Sequence, residues 1–157
     1  MGMHILSSGQ ASGIEDRHTL HTVVDSSIEW SGRIVDMVED RVVVVEGEQP
    51  VVRQYTRHPG AVAVVAMRGE VGCEEVLLER QYRHPVRASL WEIPAGLLDI
   101  PGEDPLVAAE RELAEETDLK AGCWDVLVDF FTSPGGSTEP IRVFLARDLA
   151  PTGTTFE

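Results

Sequence analysis

Read by its hydrophobic and polar positions, the chain starts with a stretch that has little pattern, becomes strand-like, and then mixes strands with one helix. Residues 1–17 are Ser/Gly-rich without a clear period and read as a flexible lead-in. From His18 to about Arg57 the pattern favours strands: residues 31–38 alternate in part, and residues 41–46 form a short β-branched run. Glu39-Asp40 stands between them as a turn candidate, and Gly47 to Pro50 breaks the run before residues 51–55. Such a small antiparallel unit is too thin to fold alone and must pack on the main body or on a second subunit.

The main body begins at Pro59-Gly60. Residues 61–67 read as a buried strand, residues 75–82 as its partner, and residues 90–94 as a brief extended piece. A helix from about Asp104 to Thr117 places Leu106, Ala109 and Leu113 on one apolar stripe, with Asp104 as N-cap and Pro105 in the first turn. Residues 124–131 and 141–146 are further strands, joined by a Pro/Gly-rich loop. One helix among strand runs argues for an α+β fold or a sandwich of mixed sheet and helix.

The 157 residues suit one domain with a small appendage, and 43% hydrophobic residues are enough for a core. A net charge of −14 repels phosphate backbones and anionic membranes, so neither nucleic acid nor a membrane is expected as partner. A small anionic substrate stays possible, because one bound cation can invert the field in a single cleft. Cys73 and Cys123 have no metal-binding spacing and read as reduced thiols. With no signal-like N-terminus and no long apolar run, the expected location is the cytoplasm.

The chemistry sits on the helix. Glu112, Glu115 and Glu116 fall within roughly 100° of arc, at like-charge spacings that cost about 0.2–0.5 kcal/mol per pair. They also crowd toward the helix C-terminal half, where the macrodipole disfavours anions. A solvated acidic face gives the same local pattern. Locally poor choices also mark places where function overrides stability, and oxygen-rich clusters suit hard cations such as Mg²⁺. The preceding loop, from Pro94 through Gly96 to Glu103, joins a strand to this helix, and Gly96 permits a conformation or close approach that other residues resist. A backbone carbonyl in such a turn would be a natural extra ligand.

Gly96, Glu103, Arg111-Glu112-Leu113, Glu115-Glu116 and Leu119 together resemble the Nudix box, GX5EX7REUXEEXGU, with U aliphatic. Six residues rather than five separate Gly96 from Glu103, and Asp118 stands where the box has Gly. Neither departure removes a ligand. Further matches carry the resemblance over roughly residues 51–150, toward the ADP-ribose pyrophosphatase subfamily. They are Arg53 with His58-Pro59-Gly60, Gln81-Tyr82-Arg83, Trp91 through Gly96, and Pro134 with Glu139.

The resemblance implies a Nudix fold, a mixed β-sheet packed with helices and preceded by the small N-terminal antiparallel unit. It implies hydrolysis of ADP-ribose to AMP and ribose 5-phosphate with Mg²⁺, or Mn²⁺. The Ala95 carbonyl, Glu112 and Glu116 would hold the ion, with Glu115 on a further one. Arg111 would orient the carboxylates, and Glu103 would support the loop–helix junction. Arg83 would contact the diphosphate, while Glu92 and Glu139 would accept hydroxyls of the nucleoside or terminal ribose. Ordinary strand-edge ion pairing is the plainer role for Arg83 and Glu92, as is an exposed loop acid for Glu139. Trp30, Trp91 and Trp124 are read as core residues rather than adenine platforms, and His58 and His84 as poor metal ligands.

Relatives of this kind are usually homodimers, so residues 1–57 are expected to carry a dimerising strand region and residues 58–157 the catalytic domain. Similar enzymes continue past the last residues here, and several use a glutamate from that later segment as general base. The chain is therefore expected to lack a C-terminal part. The base is otherwise Glu115, Glu116 or a metal-bound hydroxide. Action on another nucleoside diphosphate derivative or a nucleoside triphosphate, and nucleotide sensing without catalysis, are the alternative functions.

Overall fold

The computed structural model describes residues 16–153. The expected flexible lead-in lies outside them except for its last two residues. Three strands, β1 (Thr22–Ser31), β2 (Asp36–Val43) and β3 (Val51–Arg57), form an antiparallel sheet in sequential order. Here the sequence reading needs correction. Residues 31–38 are not one strand: Ser31 ends β1, residues 32–35 form the turn, closed by the Gly32 N–H donating to the Val35 carbonyl at 2.8 Å, and Asp36 begins β2. Glu39-Asp40 is not a turn but the middle of β2. The partner strand explains this: Gln54 donates to Glu39 at 2.7 Å and the Tyr55 hydroxyl to Asp40 at 3.0 Å.

The second sheet is mixed. Its spine is β4 (Ala61–Arg68) running parallel to β10 (Pro140–Pro151), with β9 (Leu119–Phe131) antiparallel on the far side of β10. The other edge of β4 is shared by two short antiparallel strands. β8 (Ala95–Leu97) pairs its first half and β5 (Glu75–Val76) its second. Residues 75–82 are thus not one partner of β4. Leu77 N–H still reaches the Ala66 carbonyl at 2.9 Å, but β6 (Glu79–Arg83) turns away to form a separate hairpin with β7 (Ala88–Glu92). Pro94, unable to donate, ends the following extension, and β8 starts after it.

Parallel pairing of β4 with β10 demands a long crossover, which carries the helix α1 (Pro105–Thr117) onto one face of the sheet. The helix begins as read, with the Asp104 side chain accepting from Leu106 N–H at 2.8 Å and Pro105 in the first turn. It ends at Asp118 in the left-handed conformation (φ 56°). Ala108, Ala109 and Leu113 are fully buried against Val62, Val64, Ala66, Phe144 and Ala146. Burying a leucine of this kind contributes about 1.5–3 kcal/mol, so Leu113 anchors the helix rotation and thereby the direction of its acids.

Along β9 Val126, Leu127, Val128, Phe130 and Phe131 remain about half exposed. Trp124 packs edge-to-face on Phe144, as a core residue should. Trp30 and Trp91 do not: they are 61% and 67% exposed, because the thin sheets that carry them present faces no described element covers. Both cysteines are free. No described helix is long and apolar enough to cross a membrane.

Candidate functional site

β8 and α1 meet where the glycine stands. Gly96 pairs with Val62 inside the sheet, and its φ is not in the left-handed region. Its requirement is space: a Cβ at Gly96 would overlap the carboxyl end of Glu112. One residue earlier, the Ala95 N–H donates to Glu116 Oε2 at 3.1 Å. Two carboxylates of one helical face are thus pressed against the backbone of one short strand. The acid cluster is not merely solvated.

Arg111 holds the adjacent carboxylates. Its Nε and Nη2 donate to the two oxygens of Glu103 at 3.2 and 3.1 Å, and its Nη1 to Glu112 at 2.6 Å, with Glu115 at 3.5 Å. Bonding to Glu103, then to Glu112, raises the affinity of this guanidinium for its proton. Glu103 is only 10% exposed at its side chain, so the loop before the helix is tied to the helix middle by a shielded fork. Glu115 is about half exposed and faces solvent.

Glu116 is the perturbed acid, pushed up to about 7. Desolvation is the largest cause, followed by the charge of Glu79, while Glu112 adds to the rise and the Ala95 N–H and Arg83 oppose it. Glu79 escaped the sequence reading. It lies directly across from Glu92 in the β6–β7 pairing, a like-charge opposition that strands ordinarily avoid and that was the available signal once the hairpin was known.

Arg83 is committed to Glu92 by a fork of 3.0, 3.1 and 2.7 Å, which keeps Glu92 below the usual carboxylate range and Arg83 above its ordinary value. The charges of Glu79 and Glu116 also act on Arg83, which puts the guanidinium in the neighbourhood of the helix acids. Ala95, Gly96, Glu103, Arg111, Glu112, Glu115 and Glu116 therefore come together, with Arg83 and Glu92 beside them. Glu139 does not join them. It accepts from the Thr132 hydroxyl at 2.6 Å and faces His58 at 3.5 Å, in the loop between β9 and β10.

Among the described residues no three His, Cys, Asp or Glu side chains converge as a closed metal site requires. The donors are nonetheless of the right kind for a hard divalent cation: all oxygen, with Glu112 and Glu116 crowded against the backbone of β8 and Glu116 carrying an electrostatic load that a cation would relieve.

The model of the NUDIX domain matches residues 56–156, which span the sheet, the helix and both loops around them. The chain belongs to the Nudix family. It is similar to an ADP-ribose pyrophosphatase of Mycobacterium tuberculosis, 43% identical over 136 residues, and to one of Bacillus subtilis, 38% identical over 121 residues. A methanol dehydrogenase activator of Bacillus methanolicus is 43% identical over 121 residues. These alignments take in 87%, 77% and 77% of the chain. Each covers 63% of the relative, so the chain spans less than two thirds of these longer proteins. A solved structure of an ADP compounds hydrolase superposes with TM-score 0.69 over 91% of this chain and 75% of its own, at 22% identity, which shows a shared fold. Both departures from the Nudix box are accommodated: the extra loop residue precedes the Glu103–Arg111 fork without disturbing it, and Asp118 takes the left-handed position of the missing glycine.

Proposed function

We propose that this Nudix chain serves a cytoplasmic, Mg²⁺- or Mn²⁺-dependent hydrolase that cuts the diphosphate of ADP-ribose into AMP and ribose 5-phosphate. The observation that carries the reading is the seating of Glu112 and Glu116 against Gly96 and Ala95, an arrangement no structural need of the helix explains. The names of the relatives support the substrate.

In this reading Glu112, Glu116 and the Ala95 carbonyl hold the cation, and Glu115 reaches toward a further one. Such a cation, when bound, offsets phosphate charge and makes a bound water more acidic. The chain's own residues do the rest. Arg111 keeps Glu112 and Glu115 from scattering, Glu103 ties loop to helix, and Arg83 can exchange Glu92 for diphosphate oxygens with the same fork geometry. Glu92 and Glu139 accept ribose or nucleoside hydroxyls. Glu115, Glu116 or a metal-bound hydroxide would then serve as general base if no later segment supplies one. The exposed apolar residues of β1–β3, among them Val23, Ile28 and Trp30, support a homodimer joined through residues 1–57. Residues 58–157 then form the catalytic domain.

Product analysis on a substrate panel with Mg²⁺ tests the substrate. AMP should appear from ADP-ribose, and its absence while another nucleoside diphosphate derivative is cut rejects this choice. Glu116→Gln should cut turnover by a factor on the order of a thousand without lowering the melting temperature.

A further inference from the structure

We infer that His58 is a positioning residue that aims Glu139 at the substrate, working through the carboxylate rather than binding a ligand itself. The inference deepens the reading above, because it rests on Glu139 accepting substrate hydroxyls. His58 opens a turn that calls for a glycine two residues on. Gly60 has φ +100°, and a Cβ there would stand 3.1 Å from the Pro140 ring, next to Glu139. Inside this turn the Gly60 N–H donates to His58 Nδ1 at 3.0 Å. A nitrogen that accepts carries a lone pair, so the single proton of the neutral imidazole sits on Nε2. Nε2 is the atom that faces Glu139 Oε1, at 3.5 Å.

The other Glu139 oxygen is taken by the Thr132 hydroxyl at 2.6 Å. The carboxylate is thereby hydrogen-bonded by a residue before the loop and faced at 3.5 Å by the ring of one from the β3–β4 junction, with lone pairs left over for a diol. The frame around it is also tied. Thr138 Oγ1 accepts from the His58 N–H at 2.9 Å, Thr138 N–H donates to the Thr56 carbonyl at 2.9 Å, and Thr56 N–H to the Gly136 carbonyl at 2.9 Å. A loop of this composition would otherwise leave its acid free to rotate. The side chains of His58 and Glu139 are 13% and 27% exposed, which shields their contact while leaving the carboxylate reachable.

The test uses His58→Leu, which fills the ring's volume without a donor, His58→Gln, whose amide nitrogen can replace Nε2, Glu139→Gln, and the His58→Leu/Glu139→Gln double variant. Side-chain nitrogen NMR of the unmodified chain should show His58 protonated at Nε2, and Glu139→Gln should move that resonance. An Nδ1–H tautomer, or a resonance that does not move, overturns the contact. Binding of ADP-ribose without divalent ions, which needs no turnover, reports the consequence. His58→Leu and Glu139→Gln should each weaken it about tenfold, and His58→Gln should recover most of the loss. The double variant should bind no worse than Glu139→Gln alone, since His58 has no other route to the substrate. Unchanged binding by His58→Leu, or losses that multiply in the double variant, overturns the inference. Failure of the unmodified chain to bind ADP-ribose would sink the substrate reading instead, and the tautomer measurement would still decide the contact.

Discussion

Gly96→Ala is the most direct probe of the site, because it adds one methyl group at the contact between loop and helix. The new Cβ would overlap Cγ, Cδ and Oε1 of Glu112. The helix backbone cannot retreat, since Ala108, Ala109 and Leu113 are locked in the core, so the Glu112 side chain must swing out. It then gives up its 2.6 Å bond to Arg111, whose two bonds to Glu103 survive. Overpacking and the lost charged hydrogen bond each cost about 1–3 kcal/mol, and relief by the swing keeps the total near about 2 kcal/mol. For a chain of this size that lowers the melting temperature by about 4–8 °C. Divalent-cation affinity should fall far more, by at least about tenfold, because a ligand has been turned away rather than a contact trimmed. Thermal melts and calorimetric titration with Mn²⁺ separate the two effects. Unaltered Mn²⁺ affinity in a folded Gly96→Ala protein would refute the placement of Glu112 in the site.

Arg111→Lys keeps the charge but loses the fork to Glu103, and should cost about 1–3 kcal/mol, read as a lower denaturation midpoint. The Glu116 acid near 7 lies above the ordinary glutamate value of 4.5, so the cation-free protein draws full stability from it below the lower value and loses that contribution as pH rises through about 7. A cation must displace that proton, so Mg²⁺ affinity should drop about tenfold per pH unit below 7, and Glu79→Gln should move the break to lower pH. A flat titration between about pH 5.5 and 8 would contradict this. Asp118→Gly relieves a left-handed backbone but gives up the Thr152 hydroxyl, so stability should stay within about 1 kcal/mol, whereas Asp118→Val should lose about 1–2 kcal/mol in urea melts.

What the sequence determined by itself was the helix with its cap, its buried stripe and its acid face, together with the β4 strand and the box that names the family. These are local properties: helical period, N-cap chemistry and the identity of residues a few positions apart are all written within one segment. Polar residues of β2 read as a turn because their partners, Gln54 and Tyr55, lie on another strand. The split of residues 75–82 between two sheets could not be read either, since register is a property of pairs. The same limit governs the site. Period alone places Glu112 and Glu116 on one face, but only the folded chain sets them against Gly96 and Ala95, and brings Glu79 near enough to raise the Glu116 acid. Packing acts within a few ångströms and screened charge within about 10 Å, and it is tertiary structure that decides which residues come that close.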